Sequence, residues 1–112
     1  METKTVVASL AALAHDSRLA VFRLLVQAGP NGLAASKISE QLGLPPSSLS
    51  FHLKELSHAG LVSGTQDGRF IHYAVNYDAM NGLIAFMTEN CCGGNPCQPS
   101  ARSNLRQAEP NP

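Results

Sequence analysis

Cys91, Cys92 and Cys97 are the only cysteines of this chain, and all three fall in the single stretch ENCCGGNPCQPS. Thiolates select soft or borderline ions over hard ones. A trivalent centre with a lone pair, arsenic or antimony, takes three sulfurs in a pyramid, so three thiols complete its shell. Zinc normally takes four ligands. A zinc site here therefore needs a further group, from His72 or from a second chain. Gly93, Gly94 and Pro96 let the backbone fold back so that Cys97 can meet the adjacent pair. A disulfide staple is the structural alternative, but adjacent Cys91 and Cys92 close only a strained ring and any pair leaves one thiol over. Clustered, exposed thiols also oxidise readily, which keeps a redox switch open.

The rest of the chain must hold this cluster and give it something to act on. Its 112 residues are enough for one small domain. Aromatics make up 5% and Trp is absent, so the core has to rest on Leu, Val, Ile and Ala. The N-terminal METKTVVASLAALAHDSRL is broken by polar residues at helical spacing. It reads as an amphipathic helix rather than a signal peptide or membrane span. The expectation is a cytoplasmic protein with no membrane partner, whose thiols stay mostly reduced. Net charge is zero, and no Lys/Arg-rich run exists to make a bulk electrostatic case for nucleic acid. DNA binding has to be argued from motif and geometry. No Cys-x-x-Cys lies near a βαβ pattern, as a small thiol reductase would require, so neither an enzyme nor an organic cofactor is expected.

Periodicity supplies the motif. Val6, Val7, Leu10 and Leu13 share one face of a helix over about residues 4–14. DSRLAVFRLLVQAG starts a second helix, with Asp16 or Ser17 as N-cap and Gly29-Pro30 as its stop. NGLAA reads as a turn, and SKISEQLG as a short helix capped by Ser36. In LPPSSLSFHLKELSHAG, Pro45 and Pro46 suit a helix start, Leu49, Leu53 and Leu56 form an apolar stripe, and Gly60 ends the helix. The period then changes to two on either side of Asp67-Gly68, a hairpin signal. YDAMNGLIAFMTEN closes with Met80, Leu83, Ile84 and Met87 on one helical face. The predicted fold is mostly α with a β-hairpin wing, in the order α-α-α-α-β-β-α: a winged helix-turn-helix. Residues 1–90 form its DNA-binding and dimerisation domain, 91–97 the cysteine segment, and 98–112 a disordered polar tail.

In such a motif the second helix of the pair enters the major groove. Opposite its leucine stripe lie Ser47, Phe51, Lys54 and His58, with Ser48 and Ser50 beside them. Serine hydroxyls bond bases or phosphates and Lys54 suits a phosphate. Phe51 either meets a thymine methyl or packs under the wing. His52 is a candidate contact that also reads as a hydrogen-bonded structural histidine. Arg69, after the hairpin turn, reaches for phosphate or the minor groove; Lys37 and Arg18 are further phosphate candidates. So few cations per chain favour two copies on a palindromic site. The first and last helices, both apolar-striped, are the candidate interface.

With these residues in place, the chain resembles the ArsR/SmtB family of metal-responsive repressors over roughly residues 6–90. LGLPPSSLSFHLKELSHAGLV is similar to that family's signature, DGRFIHYAV to its wing, and ALAHDSRLAVFRLL to an N-terminal segment. The resemblance implies a homodimer joined through the first and last helices, bound to double-stranded operator DNA until a metal or metalloid ion releases it. It places Ser47, Ser50 and position 51 at the DNA, where the family often has a polar residue and this chain has Phe51. The family's Cys-x-Cys site in the short third helix has no counterpart in SKISEQLG. Its zinc site on the last helix needs imidazoles, and YDAMNGLIAFMTEN offers only Asp78 and Glu89. A subset of the family binds trivalent arsenic through a Cys-Cys pair and a third Cys after the last helix. By that resemblance Cys91, Cys92 and Cys97 hold arsenite, or antimonite, as inducer.

Overall fold

A computed structural model describes residues 1–94. Cys97 and the tail over 98–112 lie outside the described residues. The elements run α1 (Thr3–Leu13), α2 (Asp16–Ala28), β1 (Leu33–Ala34), α3 (Ala35–Leu42), α4 (Pro46–His58), β2 (Val62–Asp67), β3 (Phe70–Val75) and α5 (Tyr77–Met87), followed by a short turn of 3-10 type, Cys91–Gly94. This is the expected winged helix-turn-helix with one addition. NGLAA is not a simple turn: Leu33 and Ala34 pair antiparallel with Tyr73 and His72. The sheet therefore has three strands in the order β1-β3-β2. A two-residue strand has no period to read, so only the tertiary pairing reveals it.

The core forms where α2, α3, α4 and the base of the wing converge. Val21, Phe22, Leu25, Ile38, Leu49, Leu53, Leu56, Leu61, Val62 and Val75 make one buried cluster. The expected stripe of α4 is thus the floor of the domain. Stripe residues Leu49, Leu53 and Leu56 each remove a whole aliphatic side chain from water, worth about 1.5–3 kcal/mol apiece.

Local chemistry sets the element ends. Ser39 holds the turn between α3 and α4: its carbonyl accepts from the Gly43 and Leu44 amides, and its hydroxyl donates to the Leu44 carbonyl. Gly43 sits at φ 65°, where a Cβ is unfavourable. Pro46 occupies the first turn of α4, where its missing N–H costs nothing. Two caps differ from expectation. The N-cap of α2 is His15, whose Nδ1 accepts from the Ser17 amide at 3.1 Å. At α3 the cap position is Ala34, with no side-chain bond, rather than Ser36. Asn76 caps α5 through the Ala79 amide and also donates from its Nδ2 to the Gly60 carbonyl, fastening α5 to the end of α4.

In α1 the apolar face splits. Val6 is buried with Ser9, while Val7 and Leu10 stay exposed. On α5 only Leu83 is buried, and Ile84 and Met87 are exposed. Among the described residues no single helix is long and apolar enough to cross a membrane.

Candidate functional site

The outer face of α4 carries small polar and basic side chains because its inner face takes every leucine. Ser47, Ser48, Ser50, Phe51 and Lys54 are all exposed. Pro45 and Pro46 start the helix at the turn from α3, so the serines stand at its N-terminal end, where the unsatisfied amides favour anions. A groove between α3 and α4 is lined by Ser36, Ser39, Glu40, Pro46, Leu49 and Ser50. Lys37 is exposed on α3 and lies 3.7 Å from Glu40, an exposed pair of little energetic weight. Arg69 occupies the wing turn. The hairpin closes one residue later than Asp67-Gly68 suggests: Asp67 pairs with Phe70, and Gly68-Arg69 form the two-residue loop. Gly68 at φ 67° supplies the positive angle its first position needs.

The packing of three side chains differs from expectation. Phe51 does not pack under the wing: it is 55% exposed, on the same outer face as Lys54. Next to it, His52 is only 8% exposed and points into the α1–α2 corner, away from the outer face. Its ring centroid lies 4.8 Å from that of His15. The expected hydrogen bond is missing at Nδ1, which has no partner among the described residues. Burial lowers the pKa of His52 below the ordinary imidazole value, and the nearby charges of His15 and Arg18 lower it further. Arg18 is half-buried, and its Nε donates to the Ala12 carbonyl at 2.8 Å, which holds the corner between α1 and α2.

The second cluster lies past α5. Cys91 and Cys92 are both exposed, with their sulfurs 3.7 Å apart, too far for a disulfide but within reach of a thiol hydrogen bond. The Cys91 amide donates to the Thr88 carbonyl and the Gly93 amide to that of Asn90, so the chain turns tightly here. Asn90 and Cys92 have φ of 56° and 58°, and Gly93 and Gly94 continue in positive φ. Asn tolerates the left-handed region, but Cys92 there costs about 1–2 kcal/mol, and such outliers gather at functional sites. The spacing of Gly93 and Gly94 signalled a turn; that it begins at Asn90 and includes Cys92 did not show in the sequence. Among the described residues no three His, Cys, Asp or Glu side chains converge as a metal site. The pair is therefore two-thirds of the expected ligand set, and Cys97 lies outside the described residues.

Residues 13–65 match a helix-turn-helix domain family. The HTH-type transcriptional regulator YgaV of Escherichia coli (strain K12) is 31% identical over 85 residues, covering 76% of this chain and 84% of that protein. The arsenical resistance operon repressor of Bacillus subtilis (strain 168) is 33% identical over 81 residues, covering 72% of this chain and 73% of that one. Among solved structures, HlyU from Vibrio cholerae N16961 superposes with a TM-score of 0.64 at 28% identity, covering 82% of this chain and 99% of its own.

Proposed function

Because this chain belongs to the ArsR family of winged-helix DNA-binding transcriptional regulators, we propose that it is a dimeric repressor released from its operator by trivalent arsenic or antimony on the thiolates of Cys91, Cys92 and Cys97. The observation that carries this reading is the pair of exposed sulfurs 3.7 Å apart at the end of α5. Two thiolates on one ion at bonds of about 2.3 Å span that distance with roughly 107° between the bonds. Cys97 brings the third sulfur and completes a pyramidal shell. Support also comes from the Bacillus subtilis relative, whose name is that of an arsenical resistance operon repressor.

Output runs through α4. Ser47, Ser48 and Ser50 bond base edges and phosphates, Phe51 meets a thymine methyl, and Lys54, Lys37 and Arg69 neutralise phosphates. The connection is α5, which leads directly into the cysteine turn and carries the exposed Ile84 and Met87. Ligation closes the turn at the end of this helix onto one ion. Ion and operator favour different dimer arrangements, so each weakens the other's binding.

The test is a titration on a duplex selected from a random pool by the full-length protein. Arsenite is expected to release wild type, with antimonite acting likewise. Cys91→Ser, Cys92→Ser and Cys97→Ser are each expected to bind the duplex normally and to resist release. Unchanged release of any one of them removes that residue from the site. Release by zinc alone makes the protein a sensor of another metal. Release by peroxide, reversed by reductant and absent with arsenite, makes it a redox regulator.

A further inference from the structure

Phe70 opens β3 immediately after the wing turn, paired across the ladder with Asp67, and it is 57% exposed. Core packing does not account for it: the buried residues of the wing, Val62 and Val75, are at its base. Alternation along β3 puts Phe70 and His72 on one face and Ile71 on the other. That face turns toward α3, where Phe70 and His72 line a groove with Ser36 and Lys37. Ser36 lines the α3–α4 groove as well, together with Ser50 of α4. The surface from Ser50 through Ser36 and Lys37 to Phe70 is therefore continuous. It begins at the N-terminal end of the recognition helix and ends at the wing.

Two cations and two carboxylates border Phe70: Arg69 and Lys37, with Asp67 opposite it on the ladder and Glu40 beside Lys37. Arg69 precedes it in the turn, and Lys37 is tied only by its exposed pair with Glu40 at 3.7 Å among the described residues. An apolar ring flanked by two cations, beside a helix that reads the major groove, matches the way minor-groove wedges are built. Such side chains lean between base steps and partly unstack them, most easily at flexible pyrimidine–purine steps. We propose that Phe70 is a specificity-determining contact that enters the minor groove flanking the α4 site, while Lys37 and Arg69 hold the bordering phosphates. The proposal rests on the reading of this chain as a DNA-binding regulator. It adds a preference for deformable sequence at a position that no serine of α4 reaches.

The experiment uses the full chain and the duplex it selects from a random pool. One copy of that duplex carries 2-aminopurine at the flanking step, whose fluorescence rises on unstacking. With wild type the probe is expected to brighten and a pyrimidine–purine step is expected to be enriched there. Phe70→Ala is expected to bind about tenfold more weakly, in line with loss of one stacked ring, with a dark probe, no flanking preference and an unchanged salt slope. Arg69→Ala instead flattens the salt slope by about one. Wild-type affinity and flanking preference in Phe70→Ala would overturn the proposal. So would an affinity loss that sedimentation traces to a broken dimer, which would assign Phe70 to a contact between copies. If wild type selects no sequence at all, the DNA-binding reading fails first and this proposal fails with it.

Discussion

Phe51 and His52 are neighbours on α4 with opposite surroundings, and that contrast carries a pH effect. One residue of helix rotates the side chain by about 100°, enough to put Phe51 in solvent and His52 against His15. Buried without a bond at Nδ1, His52 disfavours its charged form. Its folded pKa therefore lies below the unfolded value of about 6.5. The unfolded chain binds the proton more readily, so stability is fully present above that value and falls as pH drops toward the folded pKa. The expected result is a lower urea midpoint at pH 5.5 than at pH 7.5. In His52→Leu that difference is expected to shrink. An equal difference in both proteins would remove His52 as its source.

Strand β1 shows how one backbone contact can set the placement of an element. Gly32, just before it, has φ 69°, and a Cβ there would overlap the Tyr73 carbonyl oxygen. The close approach lets Leu33 and Ala34 join β3 and fixes α3 against the sheet. Gly43, in the turn before α4, also has positive φ, but a Cβ there meets nothing within 4 Å. The two glycines separate the conformational cost from the steric one. Gly43→Ala is expected to lose about 1 kcal/mol, the left-handed penalty alone. Gly32→Ala is expected to lose about 3 kcal/mol, because main chain must move as well. Urea unfolding of both variants measures the difference, and equal losses would mean that the β1 contact carries no weight.

On the proposed reading, Lys37, Lys54 and Arg69 are the cations among the described residues that meet phosphates, and a chain of zero net charge with three such contacts is a weak DNA ligand by itself. Three such contacts give a salt slope of only about −3; a twofold-symmetric pair doubles it. On the first and last helices the large apolar residues left outside are Val7 and Leu10 on α1, and Ile84 and Met87, the latter 62% exposed, on α5. In a twofold interface each of them counts twice. Burial of one Ile or Met is worth about 1.5–3 kcal/mol, so one substitution removes about 3 kcal/mol or more from the dimer. Ile84→Glu is therefore expected to weaken self-association more than a hundredfold, seen by sedimentation equilibrium, and to weaken operator binding with it. A variant that stays dimeric would move the interface off α5. A DNA complex of undiminished affinity from a monomeric variant would show that one copy suffices.

The sequence by itself determined the helices, the hairpin and the inner stripe of α4, because each is a local pattern: a period of 3.6 or two, a proline at a start, a glycine at a stop. It narrowed the cysteine chemistry as well, since three thiols in seven residues limit what can bind. What it left undecided depended on neighbours distant along the chain. Whether Phe51 faced water or the wing, and whether His52 faced DNA or the core, turned on how α4 was rotated against α1 and α2. Arg18 looked like a free cation until the α1–α2 corner placed the Ala12 carbonyl beside it. The strand at Leu33–Ala34 exists only because Tyr73 lies next to it. Spacing also brought Cys91 and Cys92 together, but the left-handed turn that sets their sulfurs 3.7 Å apart belongs to the folded chain. Local patterns fix what each segment is; burial and partners, which only packing assigns, fix what each side chain can touch.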